Sequence, residues 1–242
     1  MSGMIRFHNA TSVGLREIPE LQPEAFLAHI LDTTDHGWRV AAYFGAHDGT
    51  GLRLYCLLAS KAEGLLAMTA TRPLEDAIPS IALLCPQVSL FEREIAEQFG
   101  LTFQEHPWPK PVRFQMPLFH QGEGQPAPVV PGAMEYYRVA GEGVHEVAVG
   151  PVHAGIIEPG HFRFQCYGEQ VMHLEISLGY QHRAIEQMLL AGPHPRSRYQ
   201  METIAGDTTI GHGQAYAMIM EALSGAFVPA RAEAIRGIAR AG

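Results

Sequence analysis

Charge is scarce in this chain. Only 17% of its 242 residues are Asp, Glu, Lys or Arg, against about 25% in an average globular protein. Such a surface suits a chain partly covered by partners, or equally a Gly- and Ala-rich globule. Basic residues are the scarcer kind, and the formal net charge is -8. That balance argues against nucleic-acid binding, which needs basic stripes. Long apolar runs are also missing: no run of about 18 apolar residues occurs, so nothing reads as a membrane span. Residues 1–20 hold no apolar signal core, so export is not expected. The three cysteines, Cys56, Cys85 and Cys166, lie far apart with no CxxC pair. They form no disulfide framework and fit a reducing, cytoplasmic compartment. The chain has no GxGxxG, P-loop, HExxH or GxSxG motif. Thirteen histidines are present, none in a helical HxxxH pair. His106, His120 and His145 lack Cys or paired-carboxylate neighbours, so a zinc site is unsupported.

What the chain has in excess is proline and glycine between residues 104 and 143. Pro107, Pro109, Pro111, Pro117, Pro126, Pro128 and Pro131 cannot sit inside helices or central strands. This stretch reads as an extended interdomain connection. It divides the chain into a domain over residues 1–115, a Pro/Gly-rich linker over 116–140 and a second domain over 141–242.

The first domain reads as α+β. Residues 23–33 form a helix with Pro23 in its first turn and Gly37 beyond its end. Residues 38–44 and 52–59 are strands joined by the turn His47-Asp48-Gly49-Thr50-Gly51, and residues 65–71 are a third strand. Residues 89–99 give the strongest helix pattern. Ser89 is expected to cap it and Glu92 to complete a capping box. Phe91, Ile95 and Phe99 form its buried stripe. Glu92, Arg93, Glu94 and Glu97 are expected to face water or a partner, and Gly100 stops the helix. After the linker, residues 144–149, 162–167 and 170–177 read as strands. Helices are expected over 182–190, 199–224 and from Pro229 to Ile238. The fold class is α+β: an N-terminal α/β sandwich-like domain with an antiparallel sheet, then a small β-sheet followed by a helical domain.

Three segments concentrate polar chemistry. The Gly/Pro-rich stretch from Val149 to Phe164 holds His153, Glu158, His161 and Arg163, the kind of loop that presents polar groups to a ligand such as an anion, or merely satisfies its own backbone. His182, Arg183 and Glu186 fall within one helical turn, with Arg183 and Glu186 an i, i+3 pair. Between Glu202 and Tyr216, Asp207 is placed to cap the next helix, and His212 and Tyr216 share one face.

These segments together resemble two related families. Leu90-Phe-Glu-Arg-Glu-Ile-Ala-Glu-Gln-Phe-Gly100 followed by Phe103-Gln-Glu-His-Pro107 resembles the signature of the small α+β subunit of respiratory complex I, which flanks the quinone-site subunit. Glu105 stands where that family usually has Gly. Gly150-Pro-Val-His153, Glu158-Pro-Gly-His-Phe162, His182-Arg183, the stretch 202–216 and Val228-Pro-Ala-Arg-Ala-Glu233 resemble the start of the quinone-site subunit itself. They equally resemble the large subunit of membrane-bound [NiFe] hydrogenases of the formate hydrogenlyase type. Fusion of the two subunits is typical of the latter.

The resemblance implies a subunit of a membrane-associated, NADH dehydrogenase-like or hydrogenase-related electron-transfer complex. Such a subunit sits on the cytoplasmic side of the membrane, peripherally, beside membrane-arm subunits and a partner that carries iron–sulfur clusters. Departures from the family pattern refine this. Catalytic hydrogenases carry nickel-ligand cysteines where this chain has Ala205 and Thr208, and neither side chain replaces a thiolate. The family's second cysteine pair lies beyond residue 242, so a C-terminally truncated, nickel-free relative is expected, with no cofactor bound by this chain. In complex I the first loop supplies two histidines near quinone. His153 matches the first and Ile157 stands at the second, while the quinone-site tyrosine falls near Gly206. His153 is therefore the quinone-site candidate that the resemblance implies. Glu158, His161, His182, Glu202, Asp207 and His212 are candidates for a residual pocket or proton relay. An assembly role without redox chemistry is one alternative, and a quinone-binding module of a complex I-like enzyme is another.

Overall fold

The computed structural model describes residues 3–118, 130, 132–190 and 192–241. The middle of the Pro/Gly-rich stretch, residues 119–129 and 131 with His120 among them, lies outside the described residues. In chain order the elements are β1 (Ile5–His8), β2 (Glu20–Leu21), α1 (Pro23–Asp35), β3 (Arg39–His47), β4 (Leu52–Ser60), β5 (Leu65–Thr71), β6 (Ala77–Pro79), α2 (Ser89–Phe99) and β7 (Thr102–Gln104). They continue with β8 (Val144–Val149), β9 (His161–Tyr167), β10 (Gln170–Ser177), α3 (Ile185–Leu189), α4 (Ser197–Glu202), α5 (Thr209–Ser224) and α6 (Ala230–Ala241). The fold is α+β with antiparallel sheets and helices.

The main sheet has the order β1-β5-β4-β3, antiparallel throughout, with β2 added parallel to β5. Alternation in β4 sends Leu52, Leu54, Cys56 and Leu58 to the buried face. Phe26, Leu27 and Ile30 of α1 and Ile95 of α2 join them in one core. Burial pushes the Cys56 thiol up to about 12, so it serves as packing rather than as a nucleophile. The β3–β4 turn is held by Asp48, whose carboxylate accepts from the Thr50 N–H and hydroxyl.

α2 departs from its expected start. Ser89 lies inside the helix, Val88 occupies the N-cap, and no side chain caps it. A 3-10 turn over Pro86–Val88 runs straight into the helix, so the entering backbone, not a side chain, leads into it. Glu92 is then free to turn inward. It is 0% exposed, where the sequence pattern faced it to water or a partner. It accepts from the Ser80 hydroxyl at 2.5 Å and the Ile81 N–H at 3.1 Å. Gly100, left-handed at φ 71°, ends the helix as expected.

The second sheet has the order β10-β9-β8, antiparallel, with an irregularity between Val171 and His173. The first two helices expected beyond it are shortened or broken, while α6 runs three residues past its expected end. Ala184 adopts a left-handed backbone at φ 55°, and α3 begins only after it. The expected long helix over 199–224 is broken between α4 and α5. Ala205 is extended there and Gly206–Thr208 form a 3-10 turn. Gly206 costs helix propensity at that point. Arg183 reaches across and donates to the Thr203 and Ile204 carbonyls that the break frees.

Candidate functional site

The candidate residues fall into three places. At the end of the second sheet, His153 Nε2 lies 2.8 Å from the Gly160 carbonyl and its ring stands edge-on to Phe162. His161 Nδ1 lies 3.3 Å from the Gly150 carbonyl. Both rings thus tie the loop to itself, and Glu158 is exposed on it. His182 stands by α3, 3.9 Å from Glu186. The expected Arg183–Glu186 pair does not form, because Glu186 pairs with Arg113 at 2.6 Å. At the α4–α5 break, His212 Nδ1 lies 2.9 Å from the Thr208 hydroxyl and 3.0 Å from its carbonyl. Glu202 and Asp207 are exposed there. Asp207 does not cap α5: Thr208 holds the N-cap position without a side-chain bond. Among the described residues, no three His, Cys, Asp or Glu side chains gather as a metal site would require. Arg183, next to His182, joins the second place to the third through the Thr203 and Ile204 carbonyls.

A different group of residues is brought together, by α2 and residues 107–115. This strap is rich in proline and makes no regular backbone ladder. Side chains of α2 supply its partners. Arg93 donates to the Lys110 carbonyl at 2.6 Å and the Pro111 carbonyl at 2.9 Å. Glu97 accepts from the N–H groups of Val112, Arg113 and Gln115 at 2.9–3.2 Å. Glu94 pairs with Arg113 at 2.8 Å. The residues expected to face water or a partner therefore grip their own chain.

The strap in turn reaches the second sheet. The Lys110 ammonium pairs with Glu175 of β10 and donates to the Glu135 carbonyl. Glu175 also accepts from the Tyr137 N–H. Trp108 stacks on His173 with ring centres 5.3 Å apart, and Tyr137 flanks the same ring at 4.5 Å. Arg113 extends the contact to α3 through Glu186. A cavity of about 340 Å³ lies beneath, lined by Glu92, Arg93, Phe103, His106 and Lys110 among others.

Burial governs the titratable groups around that cavity. It raises the Glu92 carboxyl above its ordinary pKa and lowers the His106 imidazole below its own. The two stand 3.8 Å apart, within ion-pair range. Both shifts favour the uncharged forms, and a buried pair without full compensation is better neutral than ionised. The backbone N–H of Trp108 donates to His106 Nδ1 at 2.9 Å. That fixes the tautomer, so Nε2 carries the hydrogen and faces the Ser89 carbonyl at 3.2 Å. Sequence reasoning missed this arrangement. The available signal was a charged helix followed by a proline-rich segment that lacks backbone donors and must be held by something.

Comparison with known proteins places these elements. Residues 21–127 match the family described as respiratory-chain NADH dehydrogenase, 30 Kd subunit. Formate hydrogenlyase subunit 5 of Escherichia coli (strain K12) is 29% identical over 180 residues, 66% of this chain and 30% of that protein. Hydrogenase-4 component G of the same organism is 30% identical over 180 residues, 66% of this chain and 31% of that protein. The C/D subunit of NADH-quinone oxidoreductase from Gluconacetobacter diazotrophicus is 25% identical over 249 residues, 89% of this chain and 40% of that protein. The chain thus spans less than half the length of these relatives. Residues 21–127 are thus similar to the matched complex I family, and the chain is also similar to hydrogenase subunits and to the C/D fusion. Among the described residues, no helix is long and apolar enough to cross a membrane.

Proposed function

On the premise of that kinship, we propose that this chain is a docking subunit of a membrane-associated electron-transfer complex of the complex I-like or hydrogenase-related kind. It binds no nickel itself, sits peripherally against membrane-arm subunits, and lies beside an iron–sulfur subunit. One observation carries this reading: Arg93, Glu94 and Glu97, within the stretch that resembles the small complex I subunit, grip the strap that joins the first domain to the second sheet. The two homologous parts are built as one mechanical unit, which is what a docking platform requires.

The residues at the α4–α5 break support the nickel-free part. Ala205 offers a methyl group. The Thr208 hydroxyl is occupied by His212 at 2.9 Å. Neither is a thiolate, so a soft-metal centre of the hydrogenase type does not fit these positions. His153 is likewise engaged with the Gly160 carbonyl, and Ile157 adds no second imidazole for a quinone.

The test is to tag the chain in its native host, purify it from detergent-solubilised membranes, and identify proteins and metals together. Iron and an iron–sulfur subunit without nickel is the expected result. Stoichiometric nickel on this chain overturns the nickel-free reading. Recovery of the chain alone overturns the complex.

A further inference from the structure

The second sheet is inverted with respect to polarity. Phe164 pairs with Val147 on one side and Leu174 on the other, and Phe162 pairs with Val149 and Ile176. Alternation places these six side chains on one face. Arg163, Gln165, Glu175 and Ser177 point from the opposite face. The polar face is the covered one. Glu175 is 2% exposed and Ser177 4%, and Tyr136 lies against the Arg163 guanidinium. The apolar face is the more open one: Ile176 is 49%, Val149 41%, Leu174 40% and Val147 39% exposed, with Phe162 and Phe164 half-buried between them. Exposed apolar surface continues past the strand ends to Leu178, Val152 and Ile156. A patch of this continuity on a protein surface marks an interaction site.

Charge says what covers it. Between Arg138 and Arg183 the chain has a single Lys or Arg, Arg163. That residue is engaged on the other face with Glu146 and Tyr136. The strands therefore supply no Lys or Arg to the apolar face, and it ends in exposed carboxylates. Glu142 and Glu169 lie at its hairpin end and Glu158 at its loop end. An anionic bilayer attracts basic segments and repels this rim. A second copy packed face to face would set carboxylates against carboxylates, in a chain of net charge -8. The complementary occupant is a different protein.

We propose that the apolar face of β8–β9–β10 docks a separate protein subunit whose contact surface is apolar at its centre and rimmed by Lys or Arg. This rests on the reading of the chain as a subunit of a larger complex.

The experiment uses the full tagged chain in its native host. A photo-cross-linking residue replaces Leu174, which is 40% exposed. In parallel, Ile176→Glu and, as a control on exposed α1, Glu24→Lys are purified from solubilised membranes. The expected result is cross-linking to one other protein through a peptide with apolar residues flanked by Lys or Arg. Ile176→Glu should then cut recovery of that protein by about tenfold or more, with an unchanged melting curve, while Glu24→Lys retains it. Cross-linking to a second copy or to lipid overturns the proposal. Full recovery of partners with Ile176→Glu overturns this face while leaving the subunit reading intact. A wild-type chain recovered alone sinks both.

Discussion

Lys110 and Glu175 form an ion pair across the junction of the first domain and the second sheet, with the carboxylate 2% and the ammonium side chain 24% exposed. The pair is not isolated. The Lys110 carbonyl is held by Arg93, and Glu175 also receives the Tyr137 N–H. Removing the lysine leaves a buried carboxylate with one backbone donor. Breaking such a pair costs about 3–5 kcal/mol when both partners are enclosed, and the part-exposed ammonium places Lys110→Met near the lower end. Urea unfolding should show this loss. Glu175→Gln, which keeps an acceptor for Tyr137 and removes the charge, should cost clearly less.

Glu97→Ala should loosen the strap. Its carboxylate serves Val112, Arg113 and Gln115, and hydrogen bonds to a charged group contribute about 1.5–3 kcal/mol each. Local opening would expose the Arg113–Phe114 bond to trypsin while the core stays folded. Cleavage there should accelerate by at least about tenfold, the equivalent of about 1.4 kcal/mol. Unchanged nicking would mean that the strap is held elsewhere.

Stability should depend on pH through His106 and Glu92, in opposite directions. Burial lowers the His106 pKa below its ordinary 6.5. The unfolded chain then takes up a proton before the fold does, so this contribution is complete above about pH 6.5 and is lost as pH falls below it. Burial raises the Glu92 pKa above its ordinary 4.5. The fold holds that proton longer than the unfolded chain, so this contribution is present below about pH 4.5 and is lost as pH rises through the folded value. His106→Gln should flatten the acid-side decline. Glu92→Gln should gain stability relative to the parent at pH 8 more than at pH 4. Melting curves across pH 4–8, taken as differences from the parent, separate the two, and parallel curves would exclude both groups.

Gly150→Ala should disturb the loop that carries His153 and His161. Gly150 is left-handed at φ 88°, and an added Cβ would fall 2.2 Å from the Gly160 carbonyl oxygen. Left-handed backbone alone costs a non-glycine residue about 1–2 kcal/mol, and this contact adds to it because backbone cannot swing aside. A melting temperature equal to that of the parent would show that the loop closes differently.

Several elements were plain in the sequence because their determinants are local. Proline in the first turn of α1, glycine at the end of α2 and alternation in β3, β4 and β5 each act within a few residues. The resemblance to the small complex I subunit and to hydrogenase subunits was equally legible in the stretches around Glu92-Arg93-Glu94 and Gly150 to His161. The helix over 199–224 was not, because Ala205 and Gly206 break it where Arg183, distant in sequence, takes the freed carbonyls.

By itself the sequence determined that β9 and β10 each have an apolar and a polar side, and that α2 carries a row of charges. Tertiary structure decided which way those sides face. Glu92 turns inward because Ser80 and the Ile81 N–H are there to meet it. Arg93 and Glu97 bind the strap because its prolines leave backbone groups without a ladder. The second sheet turns its polar side inward because Lys110, Tyr136 and Tyr137 bring it donors and aromatic surface. Periodicity separates two faces of an element, but only the groups that pack against them select the one that is buried.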